Sequence, residues 1–279
     1  MNKNVNNSGI DLNTIDPERV ILEVTDLIKQ YKQYDDTVTA VNRVSLKVFE
    51  GEFVAIIGSS GSGKSTFLNL CAGLDRPNAG SVKIRSREIT RMGSDELNRF
   101  RGMNIGVVFQ KHNLIPQFTA YENILVPTLM CRRSDMSYEE NLKKLIDLLG
   151  LKDRLHHLPS ELSGGQQQRV AIARAMINMP QIIFADEPTG NLDRANADEV
   201  LELLLETRRT IGQTLVMVTH DMKIAKRADR VFIMENGKLT GGTHDELIRT
   251  NAYYRELCEL QNVSDLPPFE GVIAAGGEI

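Results

Sequence analysis

Two early stretches of the chain alternate between apolar and polar positions, which is typical of β-strands with one buried face. The first begins at Val20, with Leu22 and Val24 on the same side, and the second spans residues 38–48. Later strands are predicted from short, continuous apolar runs at 53–57, 181–185, 214–219 and 231–234. Runs of this length indicate strands that are buried on both faces of a sheet.

Helices are predicted between and after these runs, at residues 64–73, 94–100, 138–149, 165–178 and 245–260. The clearest is 138–149, where apolar residues recur at intervals of three and four. Strands that alternate with helices predict parallel βαβ units and therefore an α/β core. Residues 90–160 are more helical than the rest, so we interpret them as a helical subdomain inserted in that core.

The two ends of the chain depart from this pattern. Residues 1–19 are polar and rich in asparagine, and we interpret them as a flexible arm without the apolar segment of a signal peptide. Residues 20–248 are predicted to form the folded domain. Residues 249–279 are predicted to form a C-terminal helix and a loose tail that contains paired prolines and glycines.

The charge balance and the cysteines narrow the class of protein. The 279 residues contain 33 Lys and Arg against 37 Asp and Glu, a formal net charge of −4. This balance argues against a nucleic-acid partner, because no excess of cations is present to displace counterions from phosphates. No apolar run approaches the roughly 18–20 residues of a membrane helix, and Cys71, Cys131 and Cys258 lack metal-type spacing. We therefore expect a cytoplasmic protein with free thiols.

Residues 58–65 form the first motif that carries chemistry, with the sequence Gly-Ser-Ser-Gly-Ser-Gly-Lys-Ser. This segment, the phosphate-binding loop, has the spacing G-x-x-x-x-G-K-S and lies between a predicted strand and a predicted helix. Its glycines allow backbone N–H groups to approach a phosphate, and Lys64 and Ser65 are predicted to reach the β/γ-phosphates and Mg²⁺. The alternative is a chance loop of glycine and serine, which this context disfavours. The predicted ATP-binding residues here are Gly58, Ser59, Ser60, Gly61, Ser62, Gly63, Lys64, Ser65 and Thr66.

A second motif ends the apolar run 182–185 with two acidic residues. Asp186 is predicted to hold Mg²⁺ through a water, and Glu187 is the candidate to polarise the water that attacks the γ-phosphate. Taken alone, two solvated acids at a strand end are the commoner explanation. The phosphate-binding loop upstream favours a catalytic role for these two acids.

The third motif is Leu-Ser-Gly-Gly-Gln at residues 162–166, called here the signature segment, directly before a predicted helix. A serine and two glycines at a helix start offer a second anion-binding surface. One nucleotide needs only one such surface unless two chains share it.

Along the chain the phosphate-binding loop comes before the signature segment and the acidic pair comes after it, and in that order the three motifs resemble those of the nucleotide-binding subunit of an ABC transporter, over about residues 20–245. The resemblance implies an α/β fold: a P-loop NTPase (RecA-like) core with an inserted helical subdomain and an N-terminal antiparallel β subdomain. It also implies an ATPase that binds ATP and Mg²⁺ and couples hydrolysis to transport. Tyr31 is then expected to stack on adenine, with Tyr34 as the alternative, and Gln110 to contact Mg²⁺ and the attacking water.

The same resemblance assigns residues near the γ-phosphate. His220 is expected to contact this phosphate, and Asp193 belongs to a loop that signals across a dimer. The signature segment would bind ATP held by a second copy of the chain, through Ser163, Gly164, Gly165 and Gln166. The remaining histidines have no partner at ligand spacing and are interpreted as surface residues: His112, His156, His157 and His244.

Residues 185–193 and 109–124 resemble the MacB/LolD-type branch, which includes bacitracin-type peptide-resistance ATPases and FtsE, whereas residues 242–261 resemble the tail of fused six-helix exporters. The expected partners are a second copy of the chain and a separate transmembrane permease, FtsX/MacB-like, at the inner face of the cell membrane. Leu114, Ile115 and Tyr121 are either docking residues for this permease or local core. The predicted function is export or extraction of a peptide, lipid-linked or drug-like substrate. The alternative is a regulatory, non-transport ABC ATPase that acts through an FtsX-like membrane partner.

Overall fold

The computed structural model of the protein describes residues 19–33, 36–131 and 137–261. The strands are β1 (Val20–Gln33), β2 (Asp36–Phe49), β3 (Phe53–Ile57), β4 (Ala79–Ile84), β5 (Arg87–Glu88), β6 (Ile105–Val108), β7 (Ile182–Asp186), β8 (Thr214–Val218), β9 (Arg230–Glu235) and β10 (Lys238–Gly242). The α-helices are α1 (Lys64–Cys71), α2 (Ser94–Asn104), α3 (Ala120–Met130), α4 (Tyr138–Leu149), α5 (Gly164–Met176), α6 (Arg194–Ile211), α7 (Met222–Ala225), α8 (His244–Thr250) and α9 (Ala252–Leu260).

The described strands form two sheets, which confirm the predicted α/β core with an antiparallel β subdomain. The larger sheet has the order β10-β9-β3-β8-β7-β6, and its neighbouring strands are parallel except for β10 on β9. The smaller sheet is antiparallel, with the order β2-β1-β4-β5. Because β3, β8, β7 and β6 are parallel neighbours, their carboxyl ends meet at one edge of the sheet, where ligands of such sheets bind.

The larger sheet is buried on both faces, as the continuous apolar runs predict. In β3, Phe53, Ala55 and Ile57 face a core that is shared with α3 to α9. Val54 and Ile56 face a second core, which is shared with the antiparallel subdomain, α1 and α2. A strand held from both sides gives the loop that follows it a rigid base.

Several segment boundaries differ from the predictions, and three of these differences change how the chain is divided. The predicted helical subdomain contains β6, which pairs with β7 in the main sheet. The predicted last helix is two helices, because the Asn251 side chain accepts a hydrogen bond from the Tyr254 N–H and starts α9 as its N-cap. The predicted boundary after residue 248 falls within α8. Tyr34 and most of the predicted arm and tail lie outside the described residues.

The C-terminal helices pack into the same core as the parallel sheet. Tyr254 and Cys258 on α9 are fully buried, and the Tyr254 hydroxyl lies 2.6 Å from Nδ1 of His244. The interpretation of His244 as a surface residue is therefore wrong: α9 folds back over α8, and the resulting burial lowers the pKa of this imidazole. His112 and His157 are also partly buried, whereas His156 is exposed.

Two findings concern other sequence features. Cys71, Cys131 and Cys258 are free and buried. Within the described part of the chain, none of the helices combines the length and apolar character that a bilayer crossing requires.

Candidate nucleotide-binding site

The phosphate-binding loop joins β3 to α1 at the carboxyl edge of the parallel sheet. Two of its glycines have no room for a side chain: a Cβ would lie 2.2 Å from the Met234 carbonyl oxygen at Gly58, and 2.0 Å from the Ala40 carbonyl oxygen at Gly63. Gly61 also has a positive φ, of 78°, but a Cβ there would meet no atom within 4 Å. The loop is thus pressed against two neighbouring strands on one side and open on the other.

Lys64 folds back over this loop and is 6% exposed. Its Nζ donates hydrogen bonds to the carbonyl oxygens of Gly58 at 2.9 Å and Ser59 at 2.8 Å. Burial lowers the pKa of Lys64, against the opposing effect of the nearby Glu187 and Asp186 carboxylates.

Two polar groups of the loop have incomplete partners. The buried hydroxyl of Ser62 has no hydrogen-bond partner, and the ion pairs found among the described residues do not include Lys64. A buried cation whose nearest carboxylates do not form an ion pair with it fits a site for an anionic ligand such as a phosphate.

Ser65 and Asp186 meet where α1 begins and β7 ends. The Ser65 hydroxyl donates to Oδ1 of Asp186 at 3.0 Å, and burial raises the pKa of this carboxyl while the hydrogen bond opposes the rise. The described residues contain no group of three or more His, Cys, Asp or Glu side chains at metal-ligand distances. A hydroxyl and a carboxylate fit Mg²⁺ that takes its other ligands from phosphates and water, rather than a metal held by protein alone.

Three predicted catalytic side chains converge just beyond this pair. Glu187 follows β7 with a left-handed φ of 43°, and its Oε2 lies 3.3 Å from Nδ1 of His220, which follows β8. Gln110 follows β6, and a Cβ on Gly190 would be 2.7 Å from its Nε2 and 3.3 Å from Glu187 Oε2. The bare backbone at Gly190 therefore lets the amide and the carboxylate approach the same point.

Gln110 is also bound to Asn191 in the next loop. Its Nε2 donates to Oδ1 of Asn191 at 3.2 Å, and Asn191 Nδ2 donates back to the Gln110 carbonyl oxygen at 3.0 Å. Asp193 starts α6 as its N-cap, with its carboxylate accepting two hydrogen bonds from Asn196. These contacts lower the pKa of Asp193 and fix the loop between β7 and α6.

The signature segment opens α5 against that loop. Ser163 is the N-cap of α5 and forms a reciprocal capping box with Gln166. A Cβ on Gly165 would lie 3.1 Å from Oδ1 of Asn196, and one on Gly164 would lie 3.2 Å from Leu192. The start of α5 is thus ordered within one chain by its own cap and by the residues around Asp193.

Tyr31 lies on β1 and is 43% exposed. Its hydroxyl donates to Oδ2 of Asp75 at 2.9 Å. The Lys29 ammonium lies 4.9 Å from the ring centroid and also pairs with Asp75 at 2.8 Å. The ring is therefore held at an angle that Asp75 and Lys29 set, with much of its surface accessible.

The comparisons with known proteins agree with this geometry. The profile of the ABC transporter family matches residues 41–190. The lipoprotein-releasing system ATP-binding protein LolD of Cytophaga hutchinsonii is 46% identical over 217 residues, which are 78% of this chain and 97% of that protein. The LolD of Idiomarina loihiensis is 41% identical over 219 residues, with 78% and 96% covered. This chain belongs to the ABC transporter ATP-binding family.

Solved structures of this family extend the likeness to the fold. A dimeric bacterial ABC transporter cassette is 40% identical, with a TM-score of 0.74 over 80% of this chain and 98% of the other. A dimeric ATP-binding cassette described as a post-hydrolysis state bound to ADP and Pi is 39% identical, with a TM-score of 0.73 over the same shares. Our chain is accordingly an ABC ATPase that binds adenine nucleotides, of the MacB/LolD type.

Two contacts of this ABC ATPase site were missed by sequence reasoning. Asp75, which orients Tyr31, is 44 positions away from it in sequence. The reciprocal pair of Gln110 and Asn191 spans 81 positions. Neither carries a local sequence signal, because both depend on how the strands are ordered in the sheets.

Replacing Tyr31 tests its predicted stacking role. Tyr31→Ala is expected to raise the Kd for ATP by about tenfold, because stacking on a base contributes on the order of 1–3 kcal/mol. Tyr31→Phe keeps the ring, loses the hydroxyl with its bonds to Asp75 and Thr66, and should stay within about threefold of the parent. The matched control is Tyr121→Ala, which removes another exposed ring. Titration with a fluorescent ATP analogue measures all three, and an unchanged Kd for Tyr31→Ala contradicts the role.

Proposed function

We propose that two copies of this ABC ATPase close on two ATP molecules and thereby drive a separate transmembrane permease. The observation that carries the proposal is that one chain has two helix N-termini that can bind phosphate, at α1 and α5. A single bound nucleotide uses one of them, and a second copy supplies a ligand for the other. The dimeric form of the two solved relatives supports this arrangement.

The convergent side chains suggest how this chain performs hydrolysis. Glu187 accepts the proton of the attacking water, and Gln110 orients this water. His220 contacts the γ-phosphate. Lys64 places its charge on the β/γ-phosphates. Ser65, Asp186 and Gln110 would hold Mg²⁺, which would neutralise charge that develops on the phosphates. Little covalent chemistry is needed, since phosphoryl transfer depends on positioning and electrostatics.

A surface at the start of α3 is the proposed docking site for the permease. Phe118, Tyr121 and Leu158 are 37%, 40% and 37% exposed, and the Tyr121 N–H bonds to the Leu155 carbonyl oxygen, which joins the two segments. The buried Asn123 side chain fixes the preceding loop through four hydrogen bonds to residues 115–119. Grouped, exposed apolar side chains on a rigid base are typical of a protein interface.

Leu114 is part of the local core and not of the docking surface, because it packs against the main core. Ile115 is partly buried. Tyr121 is therefore the stronger docking candidate of the three.

The cargo class follows from the relatives rather than from the site. The two LolD proteins are named for lipoprotein release, so we propose extraction of a lipid-linked or peptide substrate by an FtsX/MacB-like permease. The ATPase would then lie in the cytoplasm, against the inner face of the membrane.

Purification of a trapped complex tests this function. A tagged Glu187→Gln variant is extracted from its native membrane with ATP present, beside a Glu187→Gln, Tyr121→Asp double variant. We expect the first to retain a permease with few spans and a large extracytoplasmic domain, and the second to lose it while still forming dimers. A six-helix exporter chain instead would overturn the proposed permease and cargo. Recovery of dimers with no membrane protein would overturn the transport function.

A further inference from the structure

The imidazole of His220 has little packing to hold it in place. Its side chain is 67% exposed, and its contact with Glu187 is 3.3 Å long. The position of the ring therefore depends on the backbone of residues 219–222, called here the His220 loop. On one side this loop is tied to the sheet, since the Thr219 N–H donates to the Ile56 carbonyl oxygen at 3.1 Å.

The other side of the His220 loop is tied to the C-terminal helix by one side chain. Gln261, directly after α9, donates from Nε2 to the His220 carbonyl oxygen at 2.8 Å. Its Oε1 accepts a hydrogen bond from the Met222 N–H at 2.9 Å. Met222 begins α7, and the N–H groups of a first helical turn have no partner within the helix. One amide thus bridges the residues on both sides of Asp221.

Gln261 stands on a firmly anchored element. Tyr254 and Cys258 bury one face of α9 in the main core, which also contains Met222 and Ala225 of α7. The start of α9 is capped by Asn251. Since α7 and α9 both pack into this core, the Gln261 amide holds the His220 loop in a fixed position relative to the core.

We propose that Gln261 is a positioning residue for ATP hydrolysis, which holds the His220 loop so that the imidazole meets the reacting phosphate. The inference rests on the proposed role of His220. It assigns a function to the C-terminal helix, which lies outside the three sequence motifs. Displacing a reacting group by about 1 Å is enough to slow catalysis strongly, and the exposed ring has few other contacts that would resist such a displacement.

The chemistry of the bridge requires an amide. A glutamine both donates and accepts a hydrogen bond, and the two backbone groups it meets are an acceptor and a donor. An ionised glutamate accepts only, and it would face the His220 carbonyl oxygen with a second negative oxygen. A protonated glutamate regains the donor, so Gln261→Glu should recover when acid protonates it.

Steady-state ATPase kinetics of the full chain test the proposal. Gln261→Ala is expected to lower kcat by about three- to tenfold, because two hydrogen bonds of modest net strength are lost, with KM for ATP unchanged. Gln261→Glu should be at least as slow near pH 8, and its rate relative to the parent should rise as the pH falls toward about 5. The matched control is Glu256→Gln, on the exposed side of α9, which should behave like the parent. Thermal unfolding confirms that each variant is folded.

A double-variant cycle separates a positioning role from a merely structural one. If Gln261 acts through His220, adding Gln261→Ala to His220→Ala should slow hydrolysis no further. Additive losses, or a pH-independent ratio for Gln261→Glu, would overturn the proposal while the assignment of His220 stands. A parent-like rate for His220→Ala alone would instead overturn the assigned role of His220, and the inference with it.

Discussion

Glu187→Gln is expected to lower the rate of ATP hydrolysis by about 100-fold or more, with ATP affinity near that of the parent. A positioned general base contributes a factor of about 10²–10⁴, and the amide keeps the shape of the side chain without the proton acceptor. The left-handed backbone at residue 187 and the Glu187 N–H bond to the Val218 carbonyl oxygen at 2.9 Å are unchanged by this substitution. The amide of the substituted glutamine can also keep a contact with Nδ1 of His220.

The same variant should accumulate dimers when ATP is present, because ATP favours the closed state and hydrolysis no longer releases it. Light scattering with and without ATP measures the dimer fraction. Asp198→Asn, on an exposed position of α6, removes one negative charge elsewhere and should neither slow hydrolysis nor trap dimers. Hydrolysis at the parent rate by Glu187→Gln would remove this residue from the mechanism.

The parts of the site that sequence reasoning anticipated are those encoded over short distances. The phosphate-binding loop follows directly after a buried strand, so its spacing alone indicates where Lys64 and Ser65 lie. Asp186 and Glu187 were placed by the same argument, because an acidic pair ends an apolar run. The parallel order β3-β8-β7-β6 then brings four separate strand ends together, and the resemblance to a known family supplied what periodicity does not, namely that His220 and Gln110 belong to the same edge.

What remained hidden depends on packing between distant segments. Gln261 lies 41 positions from His220, and nothing in the sequence around either residue indicates that they meet. His244 was misjudged for the same reason, since its burial depends on α9 folding back through Asn251. The sequence predicted helix across this break because the apolar positions continue on both sides of it.

Lys64→Met is expected to weaken ATP binding by at least about 100-fold without destabilising the nucleotide-free protein. The ammonium is buried, donates only to two carbonyl oxygens, and has a pKa that burial lowers. Its charged form is therefore costly until a phosphate arrives. Methionine is an apolar side chain of similar length and removes this desolvation cost, although two carbonyl groups lose their donor. We expect the free energy of unfolding without nucleotide to be equal to or higher than that of the parent.

The sign of the pH dependence provides an independent check. Because the pKa of Lys64 is lower in the folded than in the unfolded chain, the unfolded state binds more protons between the two values, and stability rises with pH across that window. Lys64→Met should lose this part of the slope. The exposed Lys144→Met on α4 is the matched control and should keep it.

Stability measured with ATP then separates the two effects of Lys64. Urea unfolding of the parent at an ATP concentration 100 times its Kd should show a gain of about 2.7 kcal/mol over the nucleotide-free protein. Lys64→Met should gain almost nothing under the same conditions, and Lys144→Met should gain as much as the parent. If Lys64→Met gained as much as the parent, the phosphates would not be bound through this ammonium. Marked destabilisation of Lys64→Met without nucleotide would mean that the two hydrogen bonds of Lys64 to carbonyl oxygens contribute more to stability than its desolvation costs.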